Sequence, residues 1–292
     1  MKDVDVNFLT AMAASIGCVL ATLNLSAHAA APRGFDCLIE PNQVVEIRSP
    51  VEGLIEKINV NRGDTTRKGQ VLFELNSGVE RSNVALTKHR SEMIGRLTSA
   101  RDRLAFATKK LDRTVELLAE HFISEQARDE ALIEKRLAQS DLTDMLESQE
   151  QARLEHLHAV ERLDQRSVRS PFDGLVMERL LNVGELAEAG SGRKPVLKLA
   201  QINPLRVEVV LPQSAYGRVT VGTKVGLTAD GFSGNYQARV TVVDKVIDAA
   251  SGMFGVRLEL ANPKGFLPGG IHCAVAFPGL QPTAEAQGTR LR

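Results

Sequence analysis

The sequence predicts an elongated α+β chain in three parts. These are a small β-sandwich made of two repeated halves, an antiparallel α-helical coiled-coil hairpin inserted between them, and a small β-barrel. Three observations carry this expectation. An eight-residue phrase occurs twice, and the stretch between the copies is helical in composition with seven-residue Leu and Ala series. The last third is a run of short alternating strands punctuated by Gly and Pro.

In chain order, residues 1–29 read as a secretory signal peptide. Lys2 precedes a mostly apolar run from Phe8 to Leu25, and Ala27-His28-Ala29 supplies an A-x-A cleavage site, so the mature chain is expected to begin near Ala30. The competing reading is an uncleaved anchor, but Thr22, Asn24 and Ser26 dilute a run shorter than the roughly 20 residues a spanning helix needs. Ser15-Ile16-Gly17-Cys18 invites a lipoprotein reading, weakened by Ser three positions before the Cys.

Residues 30–40 are assigned to a first barrel strand and 41–78 to the first half of the sandwich. Arg48-Ser49-Pro50-Val51-Glu52-Gly53-Leu54-Ile55 returns 121 residues later as Arg169-Ser170-Pro171-Phe172-Asp173-Gly174-Leu175-Val176. The register holds at Asn61, Gly63 and Asp64 against Asn182, Gly184 and Glu185. Each copy closes on an apolar strand, Val71-Leu72-Phe73-Glu74-Leu75 and Val196-Leu197-Lys198-Leu199. Two copies are too few for a solenoid, so they are expected to complete one fold between them.

Residues 79–163 contain no Pro and only Gly95, and are rich in Leu, Ala, Glu, Arg and Lys. Leu97, Leu104, Leu111 and Leu118 recur every seven residues, with Leu86, Met93, Ala100 and Ala107 beside them. A second series, Ala131, Ala138, Met145, Ala152 and Ala159, is flanked by Leu142 and Leu163. A Leu-rich seam facing an Ala-rich one suits two close antiparallel helices of about forty residues each, near 60 Å long. The turn is expected at His121 to Gln126, with Ser124 as N-cap of the second helix and no full capping box.

The second sandwich half is expected over 164–203, the barrel over 204–278 and a loose tail over 279–292. Strand patterns run over Leu205–Leu211, Lys224–Ala229, Tyr236–Ile247, Phe254–Leu260 and Ile271–Phe277, with a short helix over Pro212–Val219.

The composition excludes several classes of function. Lys plus Arg and Asp plus Glu are both 36, so no net field draws nucleic acid, and zero Trp with two Tyr gives no base-stacking platform. His156 and His158 are two apart and do not share a helix face, while His272 and Cys273 alternate across a strand. Glu116 and Glu120 read as a solvated helix face. With no Ser/His/Asp arrangement, phosphate-cradling loop or Cys-x-x-Cys, the chain reads as a non-enzyme without metal or cofactor.

The repeated S-P-x-x-G-hydrophobic half resembles that of biotinyl/lipoyl domains. Two such halves split by a long helical insertion, with a trailing barrel, resemble the periplasmic adaptor or membrane fusion proteins of the HlyD type, over about residues 35 to 278. Asp248-x-x-Ser251, Asn262-Pro263 and Leu267-Pro268-Gly269 add to that resemblance. A carrier would present a lysine at the turn between the halves. Here Asn76-Ser77-Gly78 leads into the hairpin instead, so the carrier's chemistry is absent.

The resemblance implies a periplasmic adaptor of a tripartite export or efflux system, a homo-oligomer and by family habit a hexamer. It would link an inner-membrane transporter of RND or ABC type to a TolC-type outer-membrane duct through a ring of hairpins. The alternative is an envelope scaffold of a secretion or polysaccharide assembly without a TolC-type partner. Efflux-pump adaptors carry a further membrane-proximal domain that this sequence is not expected to build, which leaves the transporter class open. The implied location is the periplasm, associated with the inner membrane through the partner, or through the N-terminal segment if it is uncleaved.

Arg113, Leu117 and Ser124, spaced R-x-x-x-L-x-x-x-x-x-x-S, match the family's duct-contacting tip. The plainer reading is coiled-coil surface followed by an N-cap Ser. Export permits a disulfide between Cys37 and Cys273, against the reading that both are small buried hydrophobes. The resemblance makes the two neighbours, because adaptor barrels bring their first and last strands together.

Overall fold

The structure, a computed structural model, describes residues 34–190 and 192–281. The expected leader lies outside them, as does most of the expected tail.

Before the helices come β1 (Phe35–Ile47), β2 (Gly53–Ile58), β3 (Thr65–Thr66) and β4 (Val71–Leu75). After them come β5 (Ser167–Arg169), β6 (Gly174–Arg179), β7 (Leu186–Ala187) and β8 (Leu197–Pro212). One sheet of the sandwich orders β5-β4-β2-β7, and the other is built from β1, β8, β6 and β3. The repeat is a two-fold exchange of hydrogen bonds. Gly63 N–H donates to Val176 C=O and Val176 N–H to Asp64 C=O, each at 2.9 Å. One repeat on, Gly184 N–H donates to Ile55 C=O and Ile55 N–H to Glu185 C=O, again at 2.9 Å. Each half's turn therefore satisfies the other half's strand. Gly63 and Gly184 hold φ of 91° and 88°, a region that only Gly enters without strain. Between the sheets Ile55, Leu72, Phe73, Leu75, Leu197 and Leu199 are buried, each worth about 1.5–3 kcal/mol in transfer terms.

The hairpin contains three helices: α1 (Gly78–Ser91), α2 (Gly95–Ala119) and α3 (Glu125–Asp164), with both α1 and α2 packed on α3. The single first helix expected from composition is thus broken at Glu92-Met93-Ile94. The seam changes phase there. From the N-cap Ser77 through α1 the sheltered positions are Ser77, Glu80, Val84, Thr87 and Ser91, a 3-4 series whose continuation would reach Ile94 and Thr98. In α2 the buried positions are Leu97, Ala100 and Ala107. Leu86 and Met93, placed on the seam by projecting the α2 series backwards, are 49% and 62% exposed. On α3, Ala131 and Ala159 are buried, and Ala138, Met145 and Ala152 are half-buried.

An ion pair at the root accounts for the different phase of α1. Arg166 binds Glu80 at 2.6 Å, with side chains only 20% and 13% exposed, and donates to the Glu52 carbonyl at 2.9 Å. A Cβ on Gly53 would lie 2.6 Å from the same guanidinium, so a larger residue there would displace the Arg166 side chain. The rod is therefore fixed to the sandwich through α1, α3 and the first repeat loop together.

The barrel adds β9 (Lys224–Ala229), β10 (Phe232–Val243), β11 (Met253–Leu260) and β12 (Ile271–Ala276). Its order is β1-β12-β9-β10-β11-β8, and β1 pairing with β8 closes it around Ile39, Leu205, Leu211, Leu227, Phe254 and Leu258. Closure leaves no open edge. The helix expected over Pro212–Val219 is a single 3₁₀ turn, Gln213–Ala215. The boundaries expected at 40/41 and 203/204 fall inside strands. β1 and β8 run through sandwich and barrel alike, paired from Cys37–Val209 to Ile47–Leu197 with a bulge between Pro41 and Gln43.

Two of the motif residues in the barrel secure its loops. Asn262 is buried and donates to the Ile202 and Leu267 carbonyls at 3.0 and 2.9 Å, while accepting from Leu267 N–H at 3.2 Å. Asp248 accepts from Ser251 N–H at 2.7 Å, Ser251 O–H at 2.9 Å and Ala250 N–H at 3.0 Å. The Ser251 bonds, then the Ala250 bond, hold its carboxyl below the usual aspartate range. A depressed carboxyl stabilises the loop above its unfolded pKa, and that support is lost as pH falls through the folded value. The expected result is an NMR titration midpoint for Asp248 below that of an aspartate in an unfolded peptide. A midpoint at or above that reference would contradict the capped loop.

Candidate functional site

The exposed end of the hairpin is built by two complementary caps. α2 ends at Ala119, and His121 takes a left-handed φ of 64°. His121 N–H then bonds the Leu118 carbonyl at 3.0 Å, and Phe122 N–H bonds the Leu117 carbonyl at 2.9 Å. This is the Schellman pattern, with His121 where Gly is usual. Ser124 has extended backbone, and its Oγ accepts from Ala127 N–H at 3.4 Å, which starts α3.

Of the three residues singled out at the tip, Arg113 and Leu117 lie four apart on α2, so they share a face. Ser124 stands across the turn as the N-cap. Arg113 is exposed and its Nε donates to the Lys109 carbonyl at 3.2 Å, so the guanidinium lies back along its own helix. Leu117 is 42% exposed and Phe122 is 73% exposed. Sequence reasoning did not name Phe122. The signal was present, since a Schellman turn places its C″ residue next to the C3 residue, and these are Phe122 and Leu117. The arrangement offers a cation, two apolar side chains and a hydroxyl on a rigid turn, which is equipment for contact and not for bond chemistry. Among the described residues no cluster of His, Cys, Asp and Glu could hold a metal ion.

Cys37 and Cys273 meet in the core of the barrel. Cys37 and Cys273 are direct partners in the β1–β12 register, buried, with Cα atoms 4.9 Å apart and their sulfurs joined. That separation is within the range a disulfide spans.

Set against known proteins, residues 43–192 match the CzcB-like barrel-sandwich hybrid domain, and residues 205–280 match the CusB-like β-barrel domain. The chain belongs to the membrane fusion protein family. Its relatives in that family include the cobalt-zinc-cadmium resistance protein CzcB of Cupriavidus metallidurans. The two are 26% identical over 219 residues, covering 73% of this chain and 38% of CzcB. The multidrug efflux pump subunit AcrA of Escherichia coli is 25% identical over 256 residues, covering 83% of this chain and 61% of AcrA. The chain spans only 38% to 63% of the first such curated relatives. Among solved structures, MacA from Actinobacillus actinomycetemcomitans has a TM-score of 0.63 at 20% identity, covering 83% of this chain and 76% of that one. The membrane fusion protein Spr0693 from Streptococcus pneumoniae R6 gives 0.54 at 15% identity, covering 82% and 96%. At those identities the likeness is one of fold. In this chain, no helix among the described residues is long and apolar enough to cross a membrane.

Proposed function

We propose that this chain is the periplasmic adaptor of a tripartite export system, joining an inner-membrane transporter of RND or ABC type to a TolC-type outer-membrane duct. The observation that carries this reading is the hairpin. A rigid rod of about 60 Å is rooted on the sandwich through Arg166 and Glu80 and ends in an exposed, doubly capped turn. Such a rod has no role in folding a small sandwich. Copies arranged in a ring, with rods parallel, would form a tube whose rim carries Arg113, Leu117 and Ser124. The work of such an adaptor is sealing and coupling. The leader read from residues 1–29 would deliver it to the periplasm, where the transporter holds it at the inner membrane.

The direct test is cross-linking from the tip. Glu120→Cys, at the exposed C-cap of α2, is expected to capture an outer-membrane channel subunit in cells, whereas a cysteine on the exposed barrel residue Asp230 should not. Capture from neither position would remove the duct from the reading and favour the envelope scaffold.

A bonded Cys37–Cys273 pair fits the same location, since the periplasm is oxidising. Denatured without reductant, the exported protein should show neither of these two thiols free. Reducing the bond should lower stability by roughly 2–5 kcal/mol, given the long loop it closes. Both thiols reacting before reduction would show that the cysteines are only packed.

A further inference from the structure

The break between α1 and α2 leaves a cavity of about 500 Å³ on one broad face of the rod. Arg90 reaches it from α1, Met93 from the break, Leu97 from α2 and Met145 from α3. Its origin is the change of phase. Met93, on the seven-residue series of Ala100 and Ala107, has turned away from the seam and is 62% exposed, while α3 offers only the half-buried Met145 and Ala152. A turned-out Met and a small Ala leave the space between them unfilled. A volume of roughly 300–1,000 Å³ with mainly apolar walls and a few placed polar groups is that of a small-molecule site. Because α2 and α3 both supply walls, the cavity opens on the groove between them and stays accessible when rods stand edge to edge.

The charge around the cavity is of one sign. α3 carries eleven Asp and Glu, yet the residues it turns to the cavity, Met145, Ser148, Gln149 and Ala152, are all neutral. The other two helices bring Arg90 and Arg96 and no acid. Nearby in the sequence, Glu92 is engaged by Lys88 at 3.9 Å and Glu150 by Arg153 at 2.7 Å, while Asp144 and Glu147 lie outside the lining. Two guanidiniums beside an apolar wall, with Ser148 and Gln149 as neutral hydrogen-bonding groups, attract an anion and repel a cation. The thioethers of Met93 and Met145 therefore serve as adaptable apolar surface and not as ligands for a soft metal ion.

We propose that this cavity binds a small amphipathic anion, an organic carboxylate, sulfonate or phosphate with an apolar body. The acidic head meets Arg90 and Arg96, and the body lies on Met93, Leu97 and Met145. Such a ligand touches α1, α2 and α3 together, so its binding ties the two sides of the break to one another and stiffens the rod there. Binding requires neither the duct nor a ring of copies.

The experiment uses the exported protein and two dyes that share an apolar body, anilinonaphthalene sulfonate, which is an anion, and phenylnaphthylamine, which is neutral. Fluorescence titration should show saturable binding of the sulfonate at one site per chain, at least about tenfold tighter than binding of the neutral dye. Arg90→Gln combined with Arg96→Gln should remove that advantage and leave the affinity for the neutral dye unchanged. Ser148→Trp, which fills the cavity from an exposed position, should weaken both dyes. Circular dichroism checks that the variants remain helical. In the parent, hydrogen exchange should slow at residues 90–98 when the sulfonate binds, a readout that needs no variant. Absence of saturable binding, equal affinity for the two dyes, or sulfonate binding that survives both variants would overturn the site. Slowed exchange elsewhere and none at residues 90–98 would overturn it equally.

Discussion

Ala107→Asp is expected to unfold the outer part of the hairpin and leave the sandwich and barrel folded. Ala107 is 2% exposed and shares the floor of the inter-helix groove with Ala138. Small side chains there let α2 and α3 approach closely, and a carboxylate would find no donor between them. Glu134 and Asp141 line the same groove and would add repulsion. An unpaired buried charge at a close-packed seam should cost about 3–5 kcal/mol. Phe106→Asp, one residue away and 60% exposed, should cost no more than about 0.5 kcal/mol. Thermal melts followed by helical dichroism, with hydrogen exchange to separate rod from sandwich and barrel, measure both. Equal melts for the two variants would mean that the seam does not run through Ala107.

The parts of this fold that were legible in the sequence are those in which local chemistry repeats. The second copy of Ser-Pro-x-x-Gly announced the sandwich because Gly63 and Gly184 each serve a turn that bonds the opposite half. The seam of α2 was legible because Leu97, Leu104, Leu111 and Leu118 recur every seven residues, as do Ala100 and Ala107, and Leu97, Ala100 and Ala107 are the buried ones. The break before Gly95 was not legible. Glu92, Met93 and Ile94 are ordinary helix residues, and the phase of α1 is set by Arg166, which lies 86 residues from its partner Glu80. The limits of the barrel were obscured because β1 and β8 continue through the bulge at Pro41 without a change in strand character. At the tip, three residues were singled out by resemblance to a family motif. The turn geometry adds Phe122, which the sequence placed in the turn without marking it as a contact residue and which is 73% exposed.

Arg113→Asp and Leu117→Asp should each abolish export while leaving the fold intact. Arg113 is exposed, and its side chain hydrogen-bonds the carbonyl of Lys109 on its own helix, so it supports little in the hairpin core. Released from that carbonyl, its guanidinium can reach carboxylates or carbonyls on a pore rim, where removal of water strengthens the bond. Reversing its charge at such a contact should weaken docking by about 2–5 kcal/mol, enough to empty the complex at cellular concentrations. Leu117 lies one turn further out on the same face and is 42% exposed, and a carboxylate there would have to be desolvated against the duct. Ser124→Ala is the instructive contrast. It removes the hydroxyl that caps α3, so it should cost about 1 kcal/mol of hairpin stability as well as any duct contact. Pull-down of the outer-membrane channel, an export assay and circular dichroism on all three variants give the reading. Full channel binding and full export by both Arg113→Asp and Leu117→Asp would reduce this turn to ordinary coiled-coil surface and leave the hairpin as a scaffold.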